Sequence, residues 1–147
     1  DGPTNDGNGA LDYMGSFSIN GGLLIAAGSA GMAQAPGETS TQPAILLVFD
    51  QTQPAGTLFS LQTEAGEALI VYAPSKAYQS MVISSPLLTI GSTYSAVLGG
   101  SSSGSASDGL IASGTLSGGS SAAEVSLSSM VTLSGSNPGF LRPGGRR

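Results

Sequence analysis

The sequence predicts an all-β chain: coiled, stacked strand at the start and a sandwich-like cap after it. Three observations carry that expectation. Asn, Asp and Gly punctuate very short apolar pulses through residues 1–36. Short apolar runs bounded by turn residues recur through residues 44–98, which is a sheet or sandwich pattern. No stretch carries an apolar repeat of helical period over a usable length.

Residues 1–36 read as the coil because Asn, Asp and Gly tolerate the positive-φ corners that stacked coils of parallel strand need. Phe17 and Ile19 alternate with Ser16, Ser18 and Asn20, so a strand with one buried face is expected there. Gly21 and Gly22 turn the chain before the apolar run 23–27, which Gly28 and Gly31 close. One coil takes roughly twenty-odd residues, and about three repeats are needed for a stable solenoid. A segment of little more than one coil leaves an open edge at Asp1, which an upstream segment or another molecule must cover.

Residues 37–43 (GETSTQP) are expected to be a polar linker and residues 44–134 a β-rich capping domain. Candidate strands of the cap are 44–49, 57–62, 68–73, 79–84 and 93–98, with a hairpin turn at Ala65-Gly66. A weak strand is expected within 110–116, between Ser/Gly-rich stretches. Over 124–134 a last strand places Val125, Leu127, Val131 and Leu133 on one face. Residues 135–147 form a Pro/Gly/Arg tail without strand pattern.

Composition narrows the function classes. A chain of 147 residues is one domain or one domain with an appendage. With 9% charged and 39% apolar residues it lacks the high charge and low hydrophobicity of a disordered chain. No apolar run approaches the ~18 residues of a membrane span. Cys and His are absent, which removes thiol nucleophiles, disulfides, the usual zinc sites and the commonest general base. Nine acidic groups face four cations, and Lys76 is the one cation before Arg142, Arg146 and Arg147. Without clustered Lys and Arg the body cannot release counterions from nucleic acid, so that partner is excluded. Low charge with abundant Ser, Thr and Gly points to an extracellular or bacterial cell-surface location. The opening Asp1-Gly2-Pro3 reads as the start of a mature or excised fragment.

The strings GPTNDGNGALDY, GSFSINGG, AAGSAGMAQAP, APSKAYQSMVISSP and GSTYSAVLGG carry a resemblance. They resemble the C-terminal part of the secreted bacterial carbohydrate-binding domain-containing proteins, whose best-known member is a clostridial β-helix that binds acidic plant polysaccharide. The resemblance runs from Gly2 to about Leu133. It implies the last coil or coils of a right-handed parallel β-helix followed by a β-sandwich-like capping region, outside the cell and at its surface. The family's ligand and calcium residues lie largely on upstream coils that this chain lacks. Asp6, Asn8 and Asp12 are the residues that carry over, and Met14 stands where relatives have another polar residue.

Several constellations have chemistry to offer. Asp6, Asn8 and Asp12 place oxygen side chains at the spacing of a calcium loop, although the closing Glu of an EF-hand is missing. The same residues suit an Asx-rich corner whose side chains bond nearby amides. Tyr13, Tyr78 and Tyr94 could stack on sugar rings, or pack as strand tyrosines do. Glu64 and Glu67 flank a solvated turn, without the buried environment that glycoside hydrolysis needs. Lys76 is the lone candidate base for a lyase. No enzyme is expected. Asp1 and Asn5 at the open coil end, with Phe140, Arg142, Arg146 and Arg147 in the tail, are candidates for self-association. The reading is a non-enzymatic, polysaccharide-binding solenoid piece. The alternative is a structural subunit stacking head to tail into an extracellular filament.

Overall fold

Residues 44–48 (AILLV) are apolar at every position, and the structure explains the missing alternation. In the structure, a computed structural model, residues 1–135 and the backbone of Arg142 and Pro143 are described. Among them the chain is all-β. Its strands are β1 (Leu24–Gly28), β2 (Gln34–Ala35), β3 (Ala44–Gln53), β4 (Phe59–Thr63), β5 (Ala68–Tyr72), β6 (Tyr78–Ser84) and β7 (Thr93–Leu98). They continue with β8 (Ser101–Ser102), β9 (Ala106–Ser107), β10 (Leu110–Ile111), β11 (Leu116–Ser117), β12 (Ser120–Ser126), β13 (Val131–Gly135) and β14 (Arg142–Pro143).

Two sheets dominate. One has the order β1-β6-β3-β13, the other β12-β7-β4-β5-β10-β9. They pack face to face through one core: Ile45, Leu47, Phe49, Tyr78, Met81 and Ile83 from the first sheet meet Phe59, Leu61, Ile70, Tyr94 and Val125 from the second. The first sheet is covered on its other face as well. There Ala26, Leu46, Val48, Val82 and Val131 form a second cluster with Ala33 and Ala35, and Ala10 and Leu11 pack against it. Odd residues of β3 thus point to one core and even residues to the other. A sheet buried on both faces needs a continuous apolar run.

Residues 1–23 and 29–43 form the outer layer, and it is pinned through small and polar groups. A Cβ on Gly28 would sit 2.9 Å from the Ala10 methyl, and one on Gly9 would sit 2.7 Å from Met32 O. Only glycine allows that approach of backbone to backbone. Buried hydroxyls anchor the layer to β6: Ser80 Oγ donates to Ser29 O at 2.7 Å, and Gln42 Nε2 donates to Ser84 Oγ at 2.8 Å. Ser40 and Gln42 are buried, so residues 37–43 are not the free linker their polarity suggests. These buried polar groups have found their partners, whereas Thr132 Oγ1 in β13 is buried without one among the described residues.

The contacts inside this layer keep a nearly constant interval along the chain between Asn8 and Gln42. Ser29 Oγ donates to Asn8 O, Tyr13 N–H to Gln34 Oε1, Ile19 N–H to Ser40 Oγ and Thr41 N–H to Asn20 Oδ1. The Ser18 and Thr39 hydroxyls bond at 2.5 Å, and Gln42 Nε2 donates to Gly22 O. These partners lie 20 or 21 residues apart, while Tyr13 OH and Ala35 O are 22 apart and Ile19 O lies 22 and 23 residues from the Thr41 and Gln42 N–H groups that donate to it. β1 and β3 keep the same interval across β6: Ser84 is level with both Leu24 and Ala44, and Ser80 with both Gly28 and Val48. Both strands are antiparallel to β6 and therefore parallel to each other. No ladder joins β1 directly to β3, because β6 lies between them.

Other expectations meet the structure differently. Residues 16–20 form no strand, though Phe17 and Ile19 are half-buried and Ser16, Ser18 and Asn20 exposed, as alternation required. Their carbonyls are bonded singly: Phe17 O accepts from Gly37 N–H, and Ile19 O from Thr41 and Gln42 N–H. The hairpin at Ala65-Gly66 forms, with Gly66 at φ 82°. The single strand expected over 124–134 is two strands in two sheets. Leu127 exchanges hydrogen bonds with Gly91 and Ser92, ending β12, and the chain crosses to β13. Val125 and Leu127 consequently enter one core and Val131 and Leu133 the other. The edge expected to be open at Asp1 is partly covered by the chain itself, since Gly2 N–H donates to Ala27 O and Ser29 N–H to Pro3 O on the side of β1 away from β6.

Candidate functional site

The expected sugar platform does not assemble. Tyr78 and Tyr94 are 1% and 3% exposed, with their rings in the inter-sheet core. Tyr78 sits edge-on to Phe49 and donates its hydroxyl to Thr57 O at 3.1 Å. The Tyr94 hydroxyl accepts from Thr89 N–H at 2.8 Å. Neither ring offers a face to a ligand in the folded chain. Tyr13 lies in the outer layer, half-buried, tilted against Phe17 at 5.5 Å and donating its hydroxyl to Ala35 O at 2.6 Å. It keeps some exposure but is bound into the layer.

Burial also fixes the protonation of two phenols. Tyr78 is pushed well above the ordinary tyrosine pKa by loss of solvent, and Tyr72 upward by burial and then by the neighbouring Asp108 carboxylate. A raised native pKa means the fold favours the protonated form. The stability this contributes is complete below the ordinary value of 10.0 and is lost as pH climbs from there through the raised native values. Of the four tyrosines, Tyr78 should therefore ionise only as the chain unfolds. Phenolate absorbance followed beside circular dichroism checks this. Ionisation of all four near pH 10.0 with the fold intact would contradict it.

Around Asn5–Asn8 the geometry is that of an Asx corner. Asn5 Oδ1 accepts Gly7 N–H at 3.1 Å, and Asn8 O accepts Ser29 Oγ at 2.7 Å. Asp6 and Asp12 are exposed. Among the described residues no three acidic side chains converge as a metal cluster. Asp1, a candidate for contacts between copies, is engaged within its own chain. Its carboxylate accepts from Tyr72 OH at 2.7 Å, Ser75 N–H at 2.7 Å and Ser75 Oγ at 2.5 Å. Arg142 lies in β14, whose backbone runs parallel to β2 beside Gln34. Phe140, Arg146 and Arg147 lie outside the described residues.

The structure also shows an apolar concavity that the sequence did not flag. A groove of about 480 Å³ opens between the two sheets, lined by Leu23 ahead of β1, by Leu69, Ile70 and Val71 of β5, and by Leu87 and Ile111. Its walls are predominantly apolar, and Leu23 and Leu87 are 49% and 57% exposed at its rim. The available signal was the paired leucines Leu23-Leu24 and Leu87-Leu88. A strand end can bury only one of two neighbours on a given face, which leaves the other at the surface. A second, more polar cleft of about 370 Å³ lies at the opposite mouth of the sandwich, with Asp50, Gln51, Gln53 and Ser121 in its lining.

No protein-family model, curated protein or solved structure matches this chain. No helix among the described residues is long and apolar enough to cross a membrane.

Proposed function

We propose that this chain is the closing module of an extracellular, polysaccharide-binding β-solenoid, without catalysis of its own. The observation that carries the solenoid part is the nearly constant interval, 20 to 23 residues, between hydrogen-bonded partners of the outer layer from Asn8 to Gln42. In an antiparallel hairpin the separation changes by two with every residue along the strand. A constant separation is what two stacked, parallel turns produce. β6 then acts as a wedge between the second turn and the first, ending the stack and handing the chain to the sandwich. The glycan part rests on the family resemblance of the strings around Gly2–Gly22 and Ala73–Pro86. With the tyrosines of the cap buried, exposed faces of the coils are the surface left for sugar.

A chain of net charge −5 repels an acidic polysaccharide, so a divalent cation would have to bridge the two. Incubation with insoluble pectin in calcium should deplete the protein from solution, and chelator should restore it. Equal recovery from pectin, cellulose and an inert bead, with and without calcium, would overturn the glycan reading.

A further inference from the structure

We infer that Asn20 is a self-modification site, where the fold assists the side-chain amide to close on Gly21 N and mature to aspartate and isoaspartate. The chain holds two Asn-Gly pairs, Asn8-Gly9 and Asn20-Gly21, and the structure treats them differently. Asn20, Gly21 and Thr41 are all exposed, at the corner that leads from the outer layer into β1. Asn20 Oδ1 accepts two hydrogen bonds from one residue of the next turn: Thr41 N–H donates at 3.1 Å and Thr41 Oγ1 at 2.9 Å. Among the described residues Gly21 N–H donates to no group, and a Cβ built on Gly21 would meet nothing within 4 Å. The nitrogen is therefore open to approach and shielded by no side chain. At the other pair it is walled in. Gly9 is buried, with its backbone against Met32 and Ala33.

These contacts match what ring closure demands. Hydroxide removes the Gly21 N–H proton, the nitrogen attacks Asn20 Cγ, and the carbonyl π pair moves onto Oδ1. The tetrahedral oxyanion then collapses and the Cγ–Nδ2 bond breaks. Nδ2 takes a proton from water, which restores the hydroxide, and leaves as ammonia. A second water opens the cyclic imide at either carbonyl, giving aspartate or isoaspartate. Negative charge develops on Oδ1, where Thr41 already aims two donors, and bonds to an anion are stronger than bonds to a neutral carbonyl. The pair therefore lowers the barrier more than it holds the amide in place. Thr41 N–H is shared with Ile19 O, which also accepts from Gln42 N–H. It can turn fully to Oδ1 while Ile19 O keeps a partner. The isoaspartate product routes the backbone through Cβ and Cγ, which lengthens the corner before β1 and adds a negative charge there.

Peptide mass spectrometry of the 147-residue chain, incubated at mildly alkaline pH with and without denaturant, tests this at both Asn-Gly pairs. Asn20 should lose its amide faster in the folded chain than in denaturant, and Asn8 more slowly. Thr41→Val should slow Asn20 in the folded chain by roughly two- to tenfold, the worth of one hydrogen bond, and leave the rate in denaturant unchanged. Thr41→Ser keeps the hydroxyl and should react as the unaltered chain does. Slower loss at Asn20 in the folded chain than in denaturant overturns the inference, because Thr41 would then hold the amide away from Gly21. It also fails if Thr41→Val reacts at the unaltered rate when folded, or if folding speeds Asn8 as much as Asn20.

Discussion

Alanine at Leu46 and alanine at Leu47 should each cost about 2–5 kcal/mol of stability, measured by denaturant unfolding at constant m-value. These are neighbours on β3, and in a strand with one wet face only one of them would matter. Here both are fully buried, at 0% and 1% exposure, but in different cores. Leu47 faces Phe59 and the second sheet's side of the sandwich. Leu46 faces Ala33, Ala35 and the outer layer built from residues 1–23 and 29–43. Because a domain's whole stability is about 5–15 kcal/mol, either loss is a large fraction of it. The pair of values is more informative than either alone. A severe Leu47→Ala with a near-neutral Leu46→Ala would mean that the outer layer does not pack on the sheet.

Much of this architecture was legible from residues. The strands of the cap fell close to where β3 to β7 lie, because turn residues bound each apolar run. The Ala65-Gly66 hairpin followed from the one residue able to take φ near 82° without strain. The strand 44–49 was expected, but its burial on both faces, which the unbroken apolar run AILLV accompanies, became plain only with the two clusters on either side of β3.

What stayed hidden depended on contacts distant in sequence. Ser40 and Gln42 look like linker residues until their partners, Gly37 O, Gly22 O and Ser84 Oγ, are known. Polarity predicts exposure only where no buried partner is available, and Ser40 and Gln42 both have one. Val125, Leu127, Val131 and Leu133 share a period of two, yet a crossing between sheets at Leu127 splits them between two cores. Periodicity shows which side chains are apolar together and cannot show that the sheet has changed. The candidate site was least legible of all. Tyr78 and Tyr94 offered the right chemistry, but strand tyrosines of this kind pack inward. The exposed Leu23 and Leu87 marked the groove only once β5 was seen opposite them.

The two-turn outer layer is the claim on which the functional reading stands, and a chain without cysteine is well suited to testing it by cross-linking. The parallel arrangement places Ser18 beside Thr39 and Asn20 beside Thr41. A hairpin centred on the same Ser18–Thr39 contact would instead bring Ser16 beside Thr41. Each cysteine pair, introduced alone and oxidised mildly, is read by mass spectrometry of unreduced peptides. Near-complete bridging of Ser18→Cys with Thr39→Cys and of Asn20→Cys with Thr41→Cys, with none between Ser16→Cys and Thr41→Cys, is the predicted result. Bridging of the Ser16 and Thr41 positions in place of Asn20 and Thr41 would contradict stacked parallel turns, and the solenoid reading with them.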